Sequence, residues 1–73
     1  MNKNVIGNNA GTIWRMLDEK RSPMSFDSLV KETKLSATDV AAAIGWLARE
    51  DKLWIAETEA GAVTFTLNYK MYY

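Results

Sequence analysis

Thr38, Ala41, Ala42, Gly45, Trp46 and Arg49 are separated by three, one, three, one and three residues, a spacing that lines them along one side of a helix. Ala41, Ala42 and Gly45 leave that side almost bare, so another backbone could approach it closely. A tryptophan beside a bare surface is the composition of a protein-contact hot spot. The chemistry on offer is recognition, not bond-making. Two plainer accounts stand beside it: the alanines are simply good helix formers facing water, and Trp46 folds under the C-terminal segment next to Trp54.

Groups for bond-making chemistry are scarce. The chain has no histidine and no cysteine, which removes His–Ser and His–Cys pairs, imidazole and thiolate metal sites, and disulfides. Asp18/Glu19 and Glu50/Asp51 are adjacent carboxylates, but neighbours along a helix point apart, so neither pair makes a metal or acid–base site. Gly7-Asn8-Asn9-Ala10-Gly11 lacks the spacing and the lysine of a phosphate-binding loop. The expectation is a protein that is not an enzyme, with no cofactor, no metal and no small-molecule substrate.

The elements that must position the bare face follow from periodicity. With 73 residues, 48% hydrophobic and a formal net charge of zero, the chain reads as one small folded domain over 1–73, with its core in 5–67. No apolar run approaches a membrane span and no signal-peptide core is evident, which makes the cytoplasm the expected location. Ile6, Ala10, Ile13, Trp14 and Leu17 form the stripe of a first helix over 5–20. Gly7 and Gly11, four apart, clear one face of it, either for close packing within the chain or for a second protomer. Ser22-Pro23 breaks the pattern, and Met24-Ser25-Phe26 can hold a short strand. Ser25 or Asp27 then caps a second helix over 26–33 with Phe26, Leu29, Val30 and Thr33 on one face. Ser36 caps a third helix reaching Glu50 or Asp51, with Val40, Ala43, Ile44 and Leu47 buried. From Leu53 the period becomes two. Leu53, Ile55, Val63, Phe65 and Leu67 face one way, and Trp54, Ala56, Thr58, Ala62, Thr64 and Thr66 the other. They form a β-hairpin turning at Glu59-Ala60-Gly61, where the glycine can take a positive φ. The aromatic tail 68–73 is expected to pack at least Tyr69 and Met71.

Helix, short strand, two helices with a tight turn at 34–37, then a hairpin is the layout of a winged helix-turn-helix domain, an α+β fold. Leu35-Ser36-Ala37-Thr38-Asp39-Val40 looks like the turn and start of a reading helix, and Gly45-Trp46-Leu47-Ala48-Arg49-Glu50-Asp51-Lys52-Leu53 like its end leading into the wing. With Ile6-Gly7 and Ala10-Gly11, these blocks resemble a group of very short winged-helix proteins of bacteria and archaea that is described by fold. The resemblance covers residues 5–67. It implies DNA binding through the third helix, usually by a symmetric dimer, and a role in transcription. Ser36, Thr38, Ala41, Ala42 and Gly45 would then face the bases, with Trp46 and Arg49 nearer the phosphates.

The sequence departs from that pattern where bases would be read, since long donors and acceptors normally stand there. Residues 1–35 carry six basic and four acidic side chains, whereas 36–73 carry three basic and five acidic. Glu57 and Glu59 are also wrong for a wing lying along a phosphate backbone. Lys20-Arg21 with Lys31 and Lys34 forms either a basic cluster or ordinary solvated charges. Two readings therefore stand: a DNA-associated regulator, and a protein-interaction module that kept the fold and lost the readout. Trp54, Tyr69, Tyr72 and Tyr73 add apolar area that 73 residues can hardly cover, and the expectation is a homodimer burying some combination of the third helix, Trp54 and the tail 69–73.

Overall fold

The computed structural model describes residues 1–71, without the side chain of Met71. The packing expected of that side chain, and the contacts expected of Tyr72 and Tyr73, lie outside the described residues. α1 spans Lys3–Lys20 and begins two residues earlier than periodicity indicates. The Asn2 side chain explains the difference, accepting a 2.9 Å hydrogen bond from the Val5 amide and so capping the helix before its apolar stripe begins. β1 is Met24–Ser25, α2 is Phe26–Thr33 and α3 is Ala37–Arg49. Ser25 caps α2, its Oγ accepting from the Ser28 amide at 3.1 Å. Ser36 caps α3 in the same way, accepting from the Asp39 amide at 3.1 Å.

β2 (Leu53–Glu57) and β3 (Val63–Leu67) form the hairpin, and a single 3-10 turn over Tyr69–Met71 follows it. The sheet runs β1-β3-β2, antiparallel throughout. Met24 pairs with Phe65 on one side of β3, and Ile55 pairs with Phe65 on the other. At the hairpin tip Gly61 takes φ 86°, and its amide donates to the Thr58 carbonyl at 2.9 Å.

The core lies where α1 crosses α3, with α1 resting against β3 and α3 against β2. Ala10, Ile13 and Leu17 of α1 meet Leu29 of α2 and Val40, Ala43, Ile44 and Leu47 of α3, with Met24, Leu53, Phe65 and Leu67 closing the floor. The four-residue stripe expected of the third helix is buried in full.

The hairpin departs from expectation. Ile55 and Val63 do share the inward parity of Leu53 and Phe65, yet they are 56% and 38% exposed. The helical layer is shorter than the hairpin: Leu53, Phe65 and Leu67 lie over it, while the outer half of the wing projects beyond it with both faces in water. Alternation fixes which face a strand residue takes but not how far the covering layer extends.

Candidate recognition surface

Burying Val40, Ala43, Ile44 and Leu47 turns the opposite side of α3 outward. Ser36, Thr38, Ala41, Gly45 and Arg49 are exposed there and Ala42 is half-buried. A Cβ on Gly45 would meet nothing within 4 Å, so this glycine answers no packing constraint inside the chain. Arg49 pairs with no carboxylate among the described residues. It is the one cation on the outer face of α3.

Trp46 leaves that face. It is 38% exposed and leans toward α1, where its Cζ2 lies 3.7 Å from the position a Gly7 Cβ would take. It therefore packs across the α1–α3 crossing and not under the wing beside Trp54. Gly7, Ala10, Gly11, Trp14, Trp46 and Leu47 line a groove of about 300 Å³ there, with Glu50 and Lys52 at its rim. Gly7 faces Trp46 within the chain. The 3.7 Å separation is ordinary van der Waals contact, so a methyl group fits. Gly7→Ala is accordingly expected to stabilise the protein by about 0.5–1 kcal/mol, through the lower entropy of the unfolded chain and a new contact on Trp46. Urea denaturation measures it, and a destabilised variant would mean that the helices approach more closely than this geometry.

Of the two accounts of Lys20, Arg21, Lys31 and Lys34, the geometry favours ordinary surface charges over a cluster. Lys20 Nζ stands 3.1 Å from Glu32 Oε1, tying the end of α1 to α2. Arg21 lies 3.6 Å from Asp18 and also stacks over the Tyr69 ring, 5.8 Å from its centroid. Tyr69 thus sits beside the end of α1, lining a small recess with Leu17, Pro23 and Leu67, and stays 41% exposed. Lys52 pairs with Glu50 at 3.7 Å. Lys31 and Lys34 remain open on α2 and at its cap. On the wing Trp54 is 51% exposed, and Glu57 and Glu59 face water. Among the described residues no group of three acidic side chains could hold a metal ion. No helix of the described residues is long and apolar enough to cross a membrane.

Among the described residues, three non-glycine residues take left-handed backbone conformations: Arg21 (φ 52°), Lys34 (φ 62°) and Asp51 (φ 59°). Each terminates a helix where glycine or asparagine is the usual signal, and so escapes sequence reading. Asn68 escapes it as well. Its Nδ2 donates to the Asp51 carbonyl at 2.9 Å, and its Oδ1 accepts from the Lys70 amide at 3.1 Å. The first bond fastens the base of the wing to the end of α3, and the second closes the turn that follows the wing. The only hint in the sequence is an amide residue directly following an apolar strand.

The comparisons with known proteins agree with this architecture. A family model described as Winged helix-turn-helix domain (DUF2582) matches residues 1–67. The uncharacterized protein MJ1608 of Methanocaldococcus jannaschii is 33% identical over 55 residues, 74% of this chain and 79% of its own. The solution NMR structure of protein BT2368 from Bacteroides thetaiotaomicron is similar with a TM-score of 0.84 at 34% identity, over 96% of this chain and 83% of that one.

Proposed function

The chain belongs to the winged helix-turn-helix family DUF2582, and on that premise we propose that it is a non-enzymatic, transcription-associated module that engages duplex DNA weakly through the outer face of α3. The observation that carries this reading is the exposed face of Ser36, Thr38, Ala41, Gly45 and Arg49, with Ala42 half-buried beside it, in the element that serves as reading helix in this architecture. A small-residue helix can enter a major groove closely, but its alanines offer at most contact with a thymine methyl. Affinity then rests on few phosphate contacts: Arg49, with Lys34 at the turn entering α3.

Fluorescence anisotropy with a labelled mixed-sequence duplex tests it. With two or three phosphates neutralised, affinity is expected to fall roughly 10–40-fold between ~50 and ~200 mM salt. Arg49→Ala is expected to lower the slope of log affinity against log salt by about 0.9. Absence of binding at ~20–50 mM salt by folded protein overturns the reading. A second reading would then hold, that of a protein-interaction module which keeps the fold without the readout. The exposed Glu57 and Glu59 favour it, since they place negative charge where a wing would approach phosphate.

A further inference from the structure

We propose that the open edge of β2 is a self-recognition surface that joins two copies of this chain, antiparallel and in one defined register, into a six-stranded sheet. The proposal stands independently of DNA binding.

The sheet order β1-β3-β2 leaves β2 as an edge strand with no strand pairing its outer side among the described residues. Its register with β3 and the hydrogen bonds at its two ends settle which backbone groups face outward. The Asn68 amide donates to the Lys52 carbonyl at 2.9 Å, and the Thr58 amide to the Ala62 carbonyl at 2.8 Å. In an antiparallel ladder the bonded positions alternate along the strand. Lys52, Trp54, Ala56 and Thr58 therefore direct their backbone groups at β3, whereas Leu53, Ile55 and Glu57 direct theirs at the open edge.

That parity selects the register. Two β2 edges related by a two-fold axis must pair odd residue with odd residue. Centring the axis on Ile55 sets Ile55 against the partner's Ile55, and Leu53 against the partner's Glu57, so that all three outward residues of each copy are bonded. Moving the axis to Trp54 leaves Glu57 without a partner on the facing strand. In the Ile55-centred register each Trp54 lies opposite the partner's Ala56, a large side chain beside a small one. On the other face the two Ile55 side chains meet and extend the row formed by Met24 and Phe65. The axis is perpendicular to the sheet, so both helical layers lie on the same side.

Edge strands in soluble proteins are ordinarily protected by shortness, charge, proline or a bulge. β1, the opposite edge, has two residues. β2 has five, Leu-Trp-Ile-Ala-Glu, with no lysine, no proline and unbroken pairing to β3. Trp54, Ile55 and Val63 are 51%, 56% and 38% exposed around it. With the edge backbone these side chains offer on the order of 500 Å² per copy, so a pair buries about 1,000 Å², the lower bound for specific association. The occupant that fits all of these features is the same edge, because the pairing is self-complementary in bonding parity and in side-chain size.

Sedimentation equilibrium of the intact chain tests the proposal. The mass is expected to rise from 8.2 kDa toward twice that value as concentration increases from ~1 to ~500 µM, the weak regime that suits an interface of this size. Ile55→Lys places two like charges on the axis and is expected to weaken association at least ~10-fold. Ile55 is more than half exposed, so the fold should persist, as circular dichroism would verify. Tyr69→Ala is expected to leave association unchanged. Hydrogen exchange gives a readout without any variant: at high concentration the Leu53, Ile55 and Glu57 amides gain protection, while those of Trp54 and Ala56 are protected at every concentration. A monomeric mass throughout, or a dimer that Ile55→Lys leaves intact, overturns the proposal. So does a dimer in which the odd-numbered amides exchange as fast as in the monomer.

Discussion

Replacing Ile13 by alanine is expected to cost about 3 kcal/mol, within the range measured for buried isoleucine truncations. Ile13 has no exposed surface and lies on the stripe of α1 that meets α3. Truncation removes its transfer free energy and leaves a cavity between helices that the neighbouring Ala10, Leu17, Val40 and Ala43 keep apart. A chain of this length has only about 4–11 kcal/mol of stability in total. The loss should lower the melting temperature by roughly 12–24 °C, measured by thermal denaturation at fixed concentration. Ile13→Val keeps most of the volume and should cost only about 1 kcal/mol. A cost below about 1 kcal/mol for the alanine variant would show that the α1–α3 crossing is loosely filled.

The consequence reaches the recognition surface. α3 presents Ser36, Thr38 and Arg49 outward only because its other side is seated on Ile13, Leu17 and Leu29. On the proposed DNA-binding reading, affinity should therefore fall with the folded fraction of Ile13→Ala, and recover when the assay is cooled toward the temperature of maximum stability.

Ile13 also illustrates what periodicity makes legible. Spacings of three and four in α1 and α3 mark every buried residue of both helices, because a helix seated on one core has a single burial direction. Ser36 is legible for a similar reason, since a cap needs only a hydroxyl and a free amide three residues on. The wing is less so. Ile55 has the same parity as Leu53 and nearly the same hydrophobicity, and what separates a buried residue from an exposed one is the extent of the helical layer, a property of tertiary structure. Trp46 falls between these cases: its spacing places it beside the bare face, but whether it turns to solvent, to the wing or to α1 depends on Gly7, thirty-nine residues away in the chain. The outer face of α3 is readable as a list of residues. Its use is not, because Ala41, Ala42 and Gly45 carry no chemistry that selects a partner.

Asn68→Ala is expected to cost about 2–3 kcal/mol, a large effect for one side chain just outside a strand. Asn68 is 8% exposed, the one polar residue buried among the described residues. Its amide group is bonded on both sides: Nδ2 satisfies the carbonyl of Asp51, and Oδ1 satisfies the amide of Lys70. Asp51 itself is held in a left-handed conformation at φ 59°, directly after the cap of α3. Alanine would remove both of these part-buried hydrogen bonds, each contributing about 0.5–1.5 kcal/mol, together with the packing of a buried side chain. Asn68→Asp retains the acceptor for Lys70 but sets a carboxylate oxygen against the Asp51 carbonyl, so it should be no more stable than the alanine variant. Urea denaturation measures both losses, and the exchange rate of the Lys70 amide separates this mechanism from general loosening. That amide should exchange faster in Asn68→Ala and stay protected in Asn68→Asp, while the Asp51–Lys52 corner loosens in both. If both variants fold with wild-type stability, the wing is held by β3 pairing and the Leu53, Phe65 and Leu67 floor alone. The link from the end of α3 to the base of the wing would then carry no energy.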